Sequence, residues 1–419
     1  MKEDSPHRRT AKTLFYGGNH DREELRSLRH GSCEVLLKAR RWFFIGLGVF
    51  LCAELPARAE GIDSPPTSTW HYGAYLDLSY AIDFNFPDNH RWRSKSTTTH
   101  VNQLAPNMVR VYVQKDAVPQ SRWGGELALQ DGYDTDRLVP ERNAAGDKPI
   151  DGADTLRHVS RANVSYLAPV GNGLSLTAGL FNSYIGYQSF YAGSNLNYTR
   201  SYLADNSPYF MFGVAASYQF SEALKAGLYV INGYSYLSHP NDQPSYGAQV
   251  VWKPVSRWTL IQNLYYGPDQ SSTSLKFWRL FSDSIMEWKG DRLTLALAYD
   301  IGTEQAVEQT GNPRTFWTGG AFFARWNVSG PWSLAVRPEL YWDRNGRLTG
   351  SEQLLKAISN TVEYRLYYCA QTMIARLEYR YDQSTGVGGG FFKDGNTGTV
   401  GLARDQQLLI LALIWAYDS

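Results

Sequence analysis

Cysteine is nearly missing from this chain: Cys33, Cys52 and Cys369 are the three present in 419 residues. The first two fall in a segment that reads as a removable leader, so no internal disulfide holds the mature protein. Long apolar runs are missing too. The longest strongly apolar stretch, Trp42 to Ala53, falls short of the ~20 residues that a membrane-spanning helix needs. A mean hydropathy of −0.39 excludes a helical membrane protein. There is no excess of charge of one sign, with 41 Lys+Arg against 40 Asp+Glu; this balance offers no electrostatic footprint for nucleic acid. Catalytic motifs are also lacking. Beyond the leader, none of His71, His90, His100, His158 and His239 sits in a G-x-S-x-G or H-E-x-x-H setting. His158 with Ser160 would lack an orienting acid and oxyanion donors, and a hydrolase at the rim is a distant reading. Asp131, Asp134 and Asp136 match no cation-binding spacing. No catalytic residue, cofactor site or metal site is assigned.

What the chain does have is aromatic residues and alternation. It carries 28 Tyr and 13 Trp against five Met, and amphipathic rings of this kind collect at the headgroup level of membranes. In the first patterned stretch Tyr72, Ala74, Leu76, Leu78, Tyr80, Ile82 and Phe84 fall on one face, while Asp77, Ser79 and Asp83 fall on the other. A period of two is that of a strand. The pattern recurs at 71–86, 107–115, 122–131, 157–168, 174–184, 208–220, 224–232, 245–253, 258–266, 278–288, 293–302, 315–328, 332–343, 354–366, 372–382 and 406–417. Links after even-numbered strands are short. Those after odd-numbered strands are longer, notably 87–103, 132–156, 185–207 and 383–405. Short turns at one end and long loops at the other are the rhythm of an outer-membrane barrel, closed because an open sheet edge cannot be satisfied in hydrocarbon. The expected fold is all-β, a closed antiparallel transmembrane barrel of 16 strands. Mixed faces at 157–168, 278–288 and 354–366 leave a 14-stranded count open.

The front of the chain has the features of an export signal. Lys38, Arg40 and Arg41 form a basic region, Trp42 to Ala53 an apolar one, and Ala57-Arg58-Ala59 a small-residue cleavage site. The chain therefore divides into a polar extension or mis-assigned start (1–37), a signal peptide (38–59) cleaved after Ala59, a short linker (60–69) and the barrel (70–419). The location implied is the bacterial outer membrane. The partners implied are its lipid and lipopolysaccharide, the barrel-assembly machinery and small hydrophilic solutes. Whether monomers or homotrimers form is left open.

With the faces assigned, the inward positions carry charge. Candidate pore-lining residues are Asp77, Arg110, Glu126, Arg325, Arg337, Glu339, Glu363, Arg365, Arg376, Glu378 and Arg380. A barrel this wide is not filled by its own side chains, and opposed acids and bases on its wall would filter solutes, or brace neighbouring strands. The loop 185–207 is the candidate constriction, through Tyr187, Gln188, Tyr198, Arg200 and Asp205.

The stretches LSLTAGLFNSYIGYQSFY from Leu174, NLNYTRSYLADNSPYFMFGVAASYQFSEALKAGLYVINGY from Asn195, YGAQVVWKP from Tyr246 and RLEYRYD from Arg376 resemble the β-barrel porin-2 (OmpL-like) family over most of 70–417. Two positions depart from it. Gln188 stands where members often have Glu, and Asp418-Ser419 replaces the usual aromatic end. The resemblance implies a porin-type channel and names no solute. The reading is an outer-membrane porin passing small hydrophilic solutes or ions by diffusion. The alternative is a structural or adhesive barrel, with a plugged lumen and loops that bind a partner.

Overall fold

The computed structural model describes residues 69–137, 157–234, 243–270, 273–307, 313–395 and 400–419. The extension, the signal peptide, nearly all of the linker, His239 and the side chain of Asp136 lie outside the described residues.

The strands are β1 (Trp70–Asp83), β2 (Leu104–Lys115), β3 (Trp123–Asp131), β4 (Val159–Ala168), β5 (Leu174–Asn182), β6 (Phe210–Gln219), β7 (Leu224–Ile231), β8 (Ser245–Trp252) and β9 (Trp258–Pro268). They continue with β10 (Trp278–Lys289), β11 (Leu293–Gln305), β12 (Arg314–Ser329), β13 (Trp332–Asp343), β14 (Gln353–Tyr368), β15 (Gln371–Thr385), β16 (Phe391–Lys393), β17 (Gly401–Ala403) and β18 (Asp405–Asp418). All but β16 and β17 form one closed 16-stranded barrel in which consecutive strands are neighbours and β18 joins β15 to β1. The closing register runs from Gly73 opposite Asp418 to Asp83 opposite Leu408, so every ladder finds a partner within the chain.

The two faces separate as the alternation requires. On β18 the outward Leu411 and Leu413 are 54% and 55% exposed, whereas the inward Ile410 and Ala412 are buried. Outward Trp70, Trp123, Trp252 and Trp332 gather at the short-turn ends, and Tyr80, Phe84, Tyr246 and Trp342 toward the long-loop ends. These are the two aromatic girdles of a membrane barrel. At Leu411, halfway along β18, arginine is expected to cost about 2–4 kcal/mol, measured as a fall in the urea midpoint of folding into vesicles.

All 16 expected strands form, and the three with mixed faces are among them. β4 lies across a register shift at Ala128/Leu129. On β10 the outward Ser282 and Ser284 share Gln262 of β9, at 2.9 and 2.7 Å. β14 turns Lys356 and Asn360 outward. Polar groups on the outer face blurred the period without abolishing the strand. β1 ends before residue 86, where Phe86 turns left-handed at φ 44°. β2 begins at Leu104 rather than 107 because a register shift opposite Asp77/Leu78 breaks its alternation. The hairpin β16–β17 stands within the segment 383–405, expected to be loop.

The interior is not simply water-filled. Inward Phe281, Trp317, Phe323, Tyr341, Leu355, Ile410 and Ile414 pack with Tyr184, Ile185, Tyr202 and Leu203 of the loop after β5 into a hydrophobic core inside the barrel. The expectation of a lumen left open by its width does not hold where this core lies. Here the inward face of the wall is apolar as well, and a chain segment lies on it.

Candidate functional site

That segment, 183–209, leaves the end of β5 and turns back into the barrel. Ser183 Oγ accepts from the Ile185 N–H at 3.0 Å. Gly186 N–H then donates to Asp283 Oδ2 on β10 at 2.7 Å. Tyr184 stacks on Tyr229 of β7 with ring centroids 4.0 Å apart, and Tyr187 OH donates to Glu287 at 2.9 Å. The tip braces itself: Asn195 Oδ1 accepts from Ser189 N–H, and its Nδ2 donates to Ser189 O, both at 2.8 Å. Gly193 presses on the wall. A Cβ added there would lie 3.2–3.3 Å from Tyr75 and Ile414, and Gly193 N–H donates to Tyr75 OH at 3.0 Å.

Irregular backbone inside a barrel has polar groups that need partners, and the charged wall supplies them. Arg376 donates to three carbonyls of the tip, Ala192 at 2.8, Asn197 at 3.0 and Asn195 at 2.6 Å, while pairing with Glu363 at 2.6 Å. Glu378 accepts from Tyr198 N–H at 2.6 Å and from the backbone and hydroxyl of Thr199. Glu339 accepts from Tyr202 N–H at 2.6 Å and pairs with Arg380 at 3.0 Å and Arg337 at 3.2 Å. Arg337 in turn donates to the carbonyl and hydroxyl of Thr199. Tyr198 OH donates to Asp77 at 2.9 Å. Tyr202 OH donates to Asp382, also at 2.9 Å.

A second insert locks the first from the long-loop side. Between β1 and β2 the chain takes a left-handed residue every fourth position, at Phe86, His90, Ser94, Thr98 and Asn102, and so folds as successive tight turns. Lys95 of this insert donates to Arg200 O at 2.6 Å and pairs with Asp205. Thr98 N–H and Arg200 both reach Asp134, each at 2.7 Å. Burial pushes the Lys95 ammonium down to about 8, against the pull of Asp205. Burial also raises Asp205, but the charge of Lys95, the hydrogen bonds from Lys95 and Thr97 and the charge of Arg200 together outweigh it and hold the carboxyl below its ordinary range.

The residues singled out in the sequence therefore fall into two sets. Asp77, Arg337, Glu339, Glu363, Arg376, Glu378 and Arg380 face inward and are buried, most of them beneath the loop. Arg110, Glu126, Arg325 and Arg365 keep 15–19% of their side chains exposed. Of the loop candidates, Tyr198, Arg200 and Gln188 are buried, Asp205 is buried through its side chain, and Tyr187 is half-buried. His158 sits with Asp131 at 3.5 Å. Ser160 is buried and donates to Ala128 O at 3.4 Å, so the two do not form a nucleophile pair. Asp134 is taken by Arg200. Sequence reasoning missed the docking role of Lys95, Thr98 and Asp134. It also missed the apolar inner face of β18, although Leu408 to Ile414 is apolar at every position.

The chain shares its fold with a solved outer-membrane channel. The channel DcaP of Acinetobacter baumannii aligns with a TM-score of 0.52 at 10% identity, over 84% of this chain and 96% of that one. OmpF of Salmonella typhi, solved with daunomycin, aligns with a TM-score of 0.48 at 11% identity, over 84% and 97%. No curated protein matches the sequence. The family model described as "Putative beta-barrel porin-2, OmpL-like" matches residues 70–417, nearly the whole barrel. The chain belongs to this family, and it is an outer-membrane porin, a channel for the passive diffusion of small hydrophilic solutes.

Proposed function

We propose that solutes pass one side of the lumen only, between the folded-in loop and the wall formed by β3–β7. The observation that carries this reading is the uneven anchoring of the loop tip, whose polar contacts go to β1 and β13–β15 apart from one at the long-loop end of β3, where Tyr191 OH donates to Gln130 at 3.0 Å. The wall across from it presents small inward residues, Asn163, Ser165, Ser175, Thr177, Ala215 and Ser217, all half-buried. Tyr187 and the exposed arginines at the edge of the loop border the aperture. Thr177→Trp is expected to cut single-channel conductance to roughly half, whereas Val214→Trp, on the outer face, leaves it unchanged. Equal conductance in both variants would place the path elsewhere.

The same reading includes export as a precursor cleaved after Ala59, insertion by the barrel-assembly machinery and contact with lipopolysaccharide. Amino-terminal sequencing of the purified barrel is expected to begin at Glu60; a start within 1–59 would contradict it. Assembly as a homotrimer is supported by the middle of the outer face from β3 to β7, where Gly125, Ala162, Ala178, Ala216 and Ala226 make a flat band. A monomer mass in native mass spectrometry would remove that part.

A further inference from the structure

Inward charges that keep contact with solvent do not balance, although the chain as a whole does. Glu363 is shared by three guanidinium groups, those of Arg325 at 2.7, Arg365 at 2.8 and Arg376 at 2.6 Å. Glu126 is shared by Arg110 at 2.7 Å and Arg161 at 3.8 Å. Five cations thus stand around two carboxylates. Three of the cations, Arg110, Arg325 and Arg365, are 15–19% exposed, against one carboxylate, since Glu126 is 17% exposed and Glu363 2%.

The two groups flank the same point of the loop. Arg365 donates to Gly193 O at 3.1 Å, and Arg110 lies 4.8 Å from the ring centre of Tyr191. The Nε–H groups of Arg110 and Arg325 reach no acceptor, a second sign that donors outnumber carboxylates here. The opposite wall does not restore the balance. Glu287 pairs with Lys289 at 3.1 Å. Acids deeper in the barrel, such as Glu339, Glu378 and Asp382, are buried and held by Arg337, Arg380 or loop amides. A cation excess facing a water path with low-dielectric walls raises the local concentration of anions.

We infer that the pore prefers anions, and that Arg110, Arg325 and Arg365, around the loop tip at Tyr191–Gly193, set this preference. The ligand class is the small hydrated anion, chloride or a compact carboxylate or phosphate. The inference rests on the one-sided aperture proposed above. Reversal potentials in a planar bilayer under a potassium chloride gradient test it. The wild type is expected to pass chloride several-fold more readily than potassium. Arg325→Gln with Arg365→Gln, which leaves Arg376 on Glu363, is expected to bring the ratio close to one. Glu126→Gln is expected to move it the other way, toward anions, so the inference does not hang on one variant folding. A conducting wild type with no anion preference, or shifts of the opposite sign, would overturn the anion inference while leaving the aperture intact. A folded barrel that never conducts would overturn both.

Discussion

Removing residues 190–204 from the folded-in loop is expected to raise single-channel conductance several-fold, because conductance grows with the open cross-section and this segment covers one side of the lumen. The part of the wall beneath that β13–β15 supply carries charge and can be hydrated. Without the loop, Arg376 keeps Glu363 at 2.6 Å, Arg380 keeps Asp382 at 2.8 Å and Arg337 keeps Glu339 at 3.2 Å. The 16 strands lose no ladder partner, since the loop lies outside the barrel register. Retained heat-modifiable mobility on gels would show that the barrel still forms. An intact barrel whose conductance equals that of the wild type would contradict the placement of the loop across the lumen.

Arg376→Ala is expected to free the loop tip without unfolding the barrel. It strands the carbonyls of Ala192, Asn195 and Asn197 in a buried place and removes one of three cations from Glu363. Truncating one partner of a buried ion pair costs about 3–5 kcal/mol, and each orphaned buried acceptor about 1–3 kcal/mol. The stability of a small docked segment is of the same order, so the cost is relieved by local opening. Amide exchange over residues 192–200 is expected to accelerate strongly while the amides of β14 and β15 stay protected, and the open-channel current to become noisier. Arg376→Lys rescues little, because one ammonium cannot span three carbonyls and a carboxylate as a planar fork does. Unchanged exchange at the tip would show that Arg376 does not hold it.

The barrel was legible in the sequence because strand alternation is a local property. Tyr72 to Phe84 declares its faces without reference to any other part of the chain. Where polar groups sit on the outer face, as at Ser282, Ser284 and Asn360, the period weakened, and only pairing with neighbours keeps those segments in the sheet. The inward direction of Arg337, Arg376 and Glu378 was legible for the same reason. Whether water or protein lies above them was not, because cover comes from residues 183–209, distant in sequence. One signal was available: Leu408 to Ile414 is apolar on both faces, the mark of a strand covered on both sides. Paired with the Asn- and Tyr-rich loop, it locates the docking wall. The insert between β1 and β2 carried little such signal, since four of its five left-handed positions are Phe86, His90, Ser94 and Thr98, and Asn102 alone is of a type that advertises the conformation.

The central claim is that one wall of the lumen is wet and the other is covered. With Cys369, which is exposed at a turn, replaced by serine, single cysteines at Ser217 and Ala412 separate the two. Both positions face inward, but Ser217 is half-buried on β6 and Ala412 is 1% exposed on β18 beneath the loop. A charged, water-soluble thiol reagent added to a conducting bilayer is expected to lower the current stepwise for Ser217→Cys and to leave Ala412→Cys unmodified. Equal modification of both positions, or block at Ala412 alone, would contradict a one-sided aperture.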